Sequence, residues 1–278
     1  MKILKKIAGL SVLAASLCLT VTARADEPTF SLSREGQTIV FKGGIDKASS
    51  EALISAINEG ANRIVITSQG GSMEHALDIA EVMHKHKIVL EVKDYCGSAC
   101  ANFLFIAASE KKLLPDAMLG FHGGSMSSSA KKDTIRKAKA SKNETVRQVA
   151  QMLERTWTFY ESVGFDDELI VISGKLTRNV PTIYRVELKD SSEQKVFTEE
   201  KRFQAFMKAH IKEIKSFSFD PDSPLIYFPN LHMLKKYGVT GITDYPYPAD
   251  QQAMDALTKR LIDQDDLDIK LIGDYVRQ

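Results

Sequence analysis

The sequence predicts an α/β protein with a parallel sheet flanked by helices. Three observations carry this expectation. Short β-branched runs, Arg63–Thr67 and Ile88–Val92, alternate with a stretch of helical apolar period, Ser72–His84. The strand–helix–strand order is that of a right-handed crossover between parallel strands. Glycines punctuate the boundaries, at Gly36, Gly60, Gly70-Gly71, Gly164 and Gly238.

The first 25 residues read as a secretory signal peptide. Lys2, Lys5 and Lys6 form a basic start, Ile7 to Val21 is apolar, and Ala23-Arg24-Ala25 fits a small-x-small cleavage site, with the cut expected after Ala25. The apolar run is shorter than the roughly 20 residues a membrane span needs. The mature chain is expected to be periplasmic or secreted, with no membrane span. Removing Lys2, Lys5, Lys6 and Arg24 leaves 33 basic residues (37 − 4) against 36 acidic ones. That slight negative balance argues against nucleic acid or an anionic membrane as the main partner.

Each element has a local reason. Thr29–Ser33 and Thr38–Lys42 alternate as a hairpin about Glu35-Gly36. Ser49–Asn58 reads as a helix presenting Leu53, Ala56 and Ile57, and Gly60 stops it. Ser72 caps the helix that carries Met73, Ala76, Leu77, Ala80 and Met83 on one face. Ser98–Ala108 reads as a buried helix, Leu113–Asp116 as a turn, and Ala117–His122 as a strand. The Ser- and Lys-rich stretch 123–142 is expected to be a mobile loop. A capping box at Ser141 and Glu144 opens a helix to about Val163. Residues 177–216 are ambiguous, with Ile183–Leu188 strand-like and Phe203–Ile214 helix-like. Leu231–Tyr237 reads as a short helix, Val239–Thr243 as a strand, and Gln251–Ile262 as a helix. The expected organisation is a signal peptide (1–25), one domain (26–245) with an insertion near 177–216, and a helical extension (246–278).

Chemistry converges on Tyr95-Cys96-Gly97-Ser98-Ala99-Cys100-Ala101. Ser98 opens a helix, and His122 ends the next strand. A serine hydroxyl needs a base to become a nucleophile, and His122 is placed to be that base. The backbone N–H groups of Gly71 and Ala99 are candidate oxyanion donors. Cys96 and Cys100 form either a disulfide, as an exported protein allows, or two buried small apolar side chains. Two cysteines are too few for a structural zinc site, and no histidine pair makes a persuasive metal motif.

These residues resemble the Clp protease proteolytic subunit and its relatives in the ClpP/crotonase superfamily, over roughly Ile39 to Asp244. Ser68-Gln69-Gly70-Gly71 before a helix is similar to the family's Ser-Pro-Gly-Gly turn. Gly97-Ser98-Ala99 matches the nucleophile segment, and Leu114-Pro115-Asp116 followed by His122 matches the Leu-Pro-Asn segment and base. Cys-x-Ser-Ala-Cys with a later Leu-Gly-Phe-His resembles a group of exported Clp-like proteins. The resemblance implies repeated β-β-α units, a Ser98 nucleophile, a His122 base, and oxyanion amides at Gly71 and Ala99. It implies no metal or organic cofactor. The register also leaves Cys100 as a competitor for the nucleophile position, unless the cysteines pair. The family's third triad member has no clean counterpart, since the corresponding stretch reads Leu225-Ile226-Tyr227-Phe228. Asp222, with Asp220 beside it, is the nearest acid.

The function expected is an ATP-independent serine peptidase or related hydrolase acting on peptides or unfolded chains, and a homo-oligomer is compatible with it. The alternative is an inactive Clp-like fold acting as a periplasmic binding or assembly protein. Acyl-CoA chemistry of the crotonase type ranks third, because it has no need of Ser98.

Overall fold

A computed structural model of the 278-residue chain describes residues 30–123, 128–142, 144–177, 182–189, 194–210, 213–221, 225–265 and 269–275. The segment expected to be a signal peptide and Asp222 lie outside them. The architecture is α/β, with a mainly parallel central sheet flanked by helices, as the alternating pattern requires.

The central sheet has seven strands. β1 (Phe30–Glu35) and β2 (Thr38–Gly43) form the expected antiparallel hairpin. Next come β3 (Arg63–Ser68), β4 (Val89–Gly97) and β5 (Glu110–Leu113), and β11 (Ile242–Asp244) closes the order β1-β2-β3-β4-β5-β11. β6 (Met118–Gly120) pairs with the far half of β4, and every pairing from β2 onward is parallel. β4 thus has two successive neighbours on one side. β5 accompanies its first half, and β6 accompanies its second half as far as Gly97↔Gly120.

Helices pack against the sheet. α1 (Lys47–Asn58) starts at Asp46, whose carboxylate accepts from Ser49 N at 2.8 Å while Ser49 Oγ accepts from Asp46 N at 2.9 Å. This reciprocal cap satisfies two otherwise orphaned donors. α2 (Met73–His86) is capped by Ser72 and ends at Lys87 in the left-handed region. Leu53, Ile57, Leu77 and Ala80 from these helices are buried with Ile64, Ile66, Leu90 and Val92 of the sheet. Fully burying a side chain of this size stabilises by ~1.5–3 kcal/mol.

Several elements differ from expectation. The buried helix after Ser98 is a π-helix over Cys100–Phe105. Residues 128–139 are not a loop but α3 (Ser128–Lys139), which packs as a hairpin on α4 (Glu144–Ser162). Its apolar contribution is little more than Ile135, 6% exposed, too sparse to register as a helical period. An ion pair between Lys139 and Glu154 ties the two helices. Strand β5 replaces part of the expected turn at Leu113.

After α5 (Glu168–Thr177), the segment expected to be an insertion holds a three-stranded antiparallel sheet with strand order β8-β7-β9: β7 (Thr182–Leu188), β8 (Gln194–Phe197) and β9 (Ile214–Pro221). α6 (Glu200–His210) lies against it, with Phe203 stacked on Tyr184 at 4.5 Å. β10 (Leu225–Tyr227) and α7 (Leu231–Lys236) follow. The C-terminal extension is not purely helical. α8 (Gln251–Asp265) is followed by β12 (Lys270–Ile272), which pairs in parallel with β10. Among the described residues, no helix is long and apolar enough to cross a membrane.

Candidate active site

Two turns meet at the carboxyl ends of β3 and β4. The first is Ser68-Gln69-Gly70-Gly71. Ser68 is buried, and its Oγ accepts from Gly70 N at 3.1 Å. The residues after β2 dock on this turn, with Ile45 N donating to Gly70 O and Ser72 N donating to Ile45 O, both at 2.8 Å. These bonds fix the direction of one amide. The peptide between Gly70 and Gly71 is trans, so its C=O and N–H point in opposite directions. Gly70 O points toward Ile45, on the β2 side of β3. The Gly71 N–H therefore points to the β4 side, where Ser98 lies.

The second turn carries Ser98. It sits between β4 and the π-helix at φ 53°, a left-handed conformation that costs a side-chain-bearing residue ~1–2 kcal/mol. Ser98 N donates to Gly120 O at 2.9 Å, and Ser98 O accepts from Asn102 N at 2.8 Å. The two turns touch through glycine. A Cβ at Gly70 would lie 2.6 Å from Gly97 O, 2.7 Å from Ala99 N and 2.8 Å from Ser98 Cβ. Only a hydrogen fits there. Ala99 follows at the head of the helix, where backbone N–H groups lack intrahelical acceptors.

His122 arrives from β6. Gly120 is held against Gly97, and Phe121 exchanges two 2.8 Å backbone hydrogen bonds with Tyr227 of β10. So fixed, His122 Nε2 lies 2.6 Å from Ser98 Oγ, and its Nδ1 lies 2.9 Å from Gly123 O. A carbonyl can only accept, so Nδ1 carries the proton and Nε2 is left to accept from the serine hydroxyl. Ser98 and His122 are both half-buried and Gly71 is exposed, so the site is open to solvent.

β10 is itself anchored. Phe228 N donates to Ile272 O at 2.9 Å, beside β12. The Tyr227 hydroxyl donates to Asp274, whose other carboxylate oxygen accepts from Asn230 N at 2.7 Å. Burial, then the Asp274 carboxylate, push the Tyr227 hydroxyl well above the usual phenol range.

The structure thus brings together four of the five expected site residues: Ser98, His122, Gly71 and Ala99. Asp222 lies outside the described residues, and the group that holds His122 Nδ1 is the Gly123 carbonyl. Cys96 and Cys100 are joined as a disulfide, which removes Cys100 as a nucleophile. Sequence reasoning missed Gly123, because a backbone carbonyl leaves no residue-type signal. It also missed the steric role of Gly70 and the position of Asn102. That residue is 8% exposed, and its Oδ1 has no hydrogen-bond partner among the described residues. Grooves of ≈ 450 and ≈ 640 Å³ run between α2 and α4 but include neither Ser98 nor His122. Among the described residues, no group of three or more His, Cys, Asp or Glu side chains is arranged to hold a metal ion.

No protein-family model and no curated protein matches the chain. Among solved structures, an enoyl-CoA hydratase from Thermoplasma volcanium GSS1 is similar at 15% identity and a TM-score of 0.28. The match covers 33% of this chain and 50% of the hydratase, and a likeness this slight carries no argument about function.

Proposed function

We propose that this chain is an exported, Clp-like serine hydrolase that cleaves peptide bonds in peptides or unfolded chains without nucleotide. One observation carries the reading: the 2.6 Å contact between Ser98 Oγ and His122 Nε2, on a turn that holds the serine in a left-handed conformation. A serine serving only as a helix cap needs neither.

In this reading Ser98 Oγ attacks the scissile carbonyl carbon as its proton passes to His122 Nε2. The developing oxyanion takes hydrogen bonds from Gly71 N–H and Ala99 N–H, donors of a kind whose loss costs ~10²–10³ in rate. The tetrahedral adduct collapses, the amine leaves with the proton from Nε2, and water repeats the sequence to release the acyl group from Ser98. Gly123 O accepts from Nδ1–H throughout. It fixes the tautomer, which is one of the two services a triad carboxylate performs. It lacks the full negative charge that would stabilise the imidazolium, so turnover is expected to be slower than with an acid there.

The second reading, a non-catalytic binding or assembly protein, draws on that same carbonyl in place of an acid. Fluorophosphonate labelling separates the two. Hydrolase chemistry predicts modification at Ser98, abolished in Ser98→Ala and His122→Ala while circular dichroism stays native. An intact, folded wild-type protein that resists the probe sinks the hydrolase reading.

A further inference from the structure

We propose that the Cys96–Cys100 disulfide is a positioning element for Ser98, holding the turn in the conformation in which Oγ meets His122, so that the serine reacts faster in the oxidised protein than in the reduced one. The inference deepens the hydrolase reading and rests on it.

The bridge joins the penultimate residue of β4 to the first residue of the π-helix, and Ser98 is the middle residue between the two cysteines. The other enclosed residues are Gly97, whose carbonyl abuts Gly70, and Ala99, a candidate oxyanion donor. Everything the bridge constrains directly is therefore the machinery of the site. A cross-link over four positions removes little chain entropy compared with one that closes a long loop. Both cysteines are also fully buried, where two thiols would fill the same space as small apolar groups. What the bond adds is local geometry.

That geometry needs support. Ser98 is held at φ 53°, a conformation that relaxes toward ordinary helix or strand angles when its flanks are free. Gly70 blocks one side of the turn and Gly120 O holds the Ser98 amide, but neither fixes the distance between the strand end and the helix start. The bridge fixes that distance, at a Cα–Cα separation of 5.3 Å.

The test uses the mature protein in three forms: oxidised wild type, wild type reduced by a water-soluble phosphine in denaturant and refolded in its presence, and Cys96→Ala/Cys100→Ala. In the reduction the disulfide gains two electrons and two protons, and the phosphine becomes its oxide. Two readouts are taken well below every melting point: the second-order rate of fluorophosphonate labelling and the ¹⁵N shifts of the His122 ring. The expected result is a native circular dichroism spectrum and a labelling rate lower by roughly tenfold or more, because small misplacements of reacting groups are this costly. The His122 signals should move toward those of Ser98→Ala, and reoxidation should restore both readouts. Equal labelling rates within twofold, or His122 signals that do not move, overturn the proposal and leave the bridge a structural staple. If the double variant fails to fold, the reduced wild type, which retains both side chains, decides. Oxidised protein that never labels refutes the hydrolase reading, and with it the claim that the bridge activates Ser98.

Discussion

Gly60 and Gly70 share the same backbone angle, φ 95°, but not the same surroundings. A Cβ at Gly60 meets nothing within 4 Å, whereas one at Gly70 meets three atoms of the Ser98 turn between 2.6 and 2.8 Å. Alanine at each position therefore separates backbone strain from close approach. Strain at such an angle costs ~1–3 kcal/mol, partly offset by the ~0.4–1 kcal/mol gained from a stiffer unfolded chain. Gly60→Ala should lose about 1 kcal/mol. Gly70→Ala carries that term plus overpacking against backbone, typically ~1–3 kcal/mol. To reach even 3.0 Å, the Gly97 carbonyl must retreat by 0.4 Å (3.0 − 2.6), dragging Ser98 with it. Urea denaturation of both variants measures the difference, and fluorophosphonate labelling of folded protein measures the displacement. The expectation is an excess destabilisation of ~1–3 kcal/mol at Gly70 and a labelling rate at least about tenfold lower, with Gly60→Ala labelling like wild type. Equal stability losses, within about 0.5 kcal/mol, would refute the contact between the diglycine turn and the serine turn.

Two further tests follow from buried polar groups. Lys111 is 2% exposed, packs over Phe105 and donates to Ile106 O at 3.2 Å; burial lowers its ammonium pKa to about 8. Above pH 8 the folded state sheds this proton while the unfolded state keeps it toward 10.5, so stability should rise with pH across that window, by about 3 kcal/mol at most. The readable part is pH 8–10, because buried Tyr160 and half-buried Tyr245, raised above the usual range, reverse the slope beyond it. Lys111→Met should flatten the rise; an unchanged pH profile by chemical denaturation would show that Lys111 is not its source. Asn102→Leu removes a buried acceptor that has no partner among the described residues, and should leave stability unchanged or raise it by ~1 kcal/mol. A clear loss in a thermal melt would mean that an ordered water satisfies the amide.

The parallel core was legible because its signals are local. Ile64, Ile66, Leu90 and Val92 sit in short β-branched runs, and Leu53, Leu77 and Ala80 recur at helical spacing. Ser98, His122 and Gly71 were legible because each closes or opens such an element. What was missed lacks a local signature. α3 shows too little apolar surface, and β5 is short and charged, its lysines hidden by packing and ion pairs such as Lys112 with Glu91. The carbonyl of Gly123 is chemistry that every residue possesses. The role of Gly70 exists only once two chain segments, far apart in sequence, are brought into contact.

β12 pairs with β10, and β10 grips Phe121 next to the base, yet Ile272 follows His122 by 150 residues (272 − 122). The serine turn and the diglycine turn are assembled from neighbouring units of the sheet, whereas the frame of the imidazole waits for a remote strand. Contacts of such long sequence separation form late, because closing the loop must precede the gain from pairing. A chain made from its amino end would thus hold the Ser98 turn ready while the frame of His122 was unfinished. The Ser98–His122 contact becomes a reporter of completed folding: a half-made molecule carries the serine without the scaffold that places the imidazole against it.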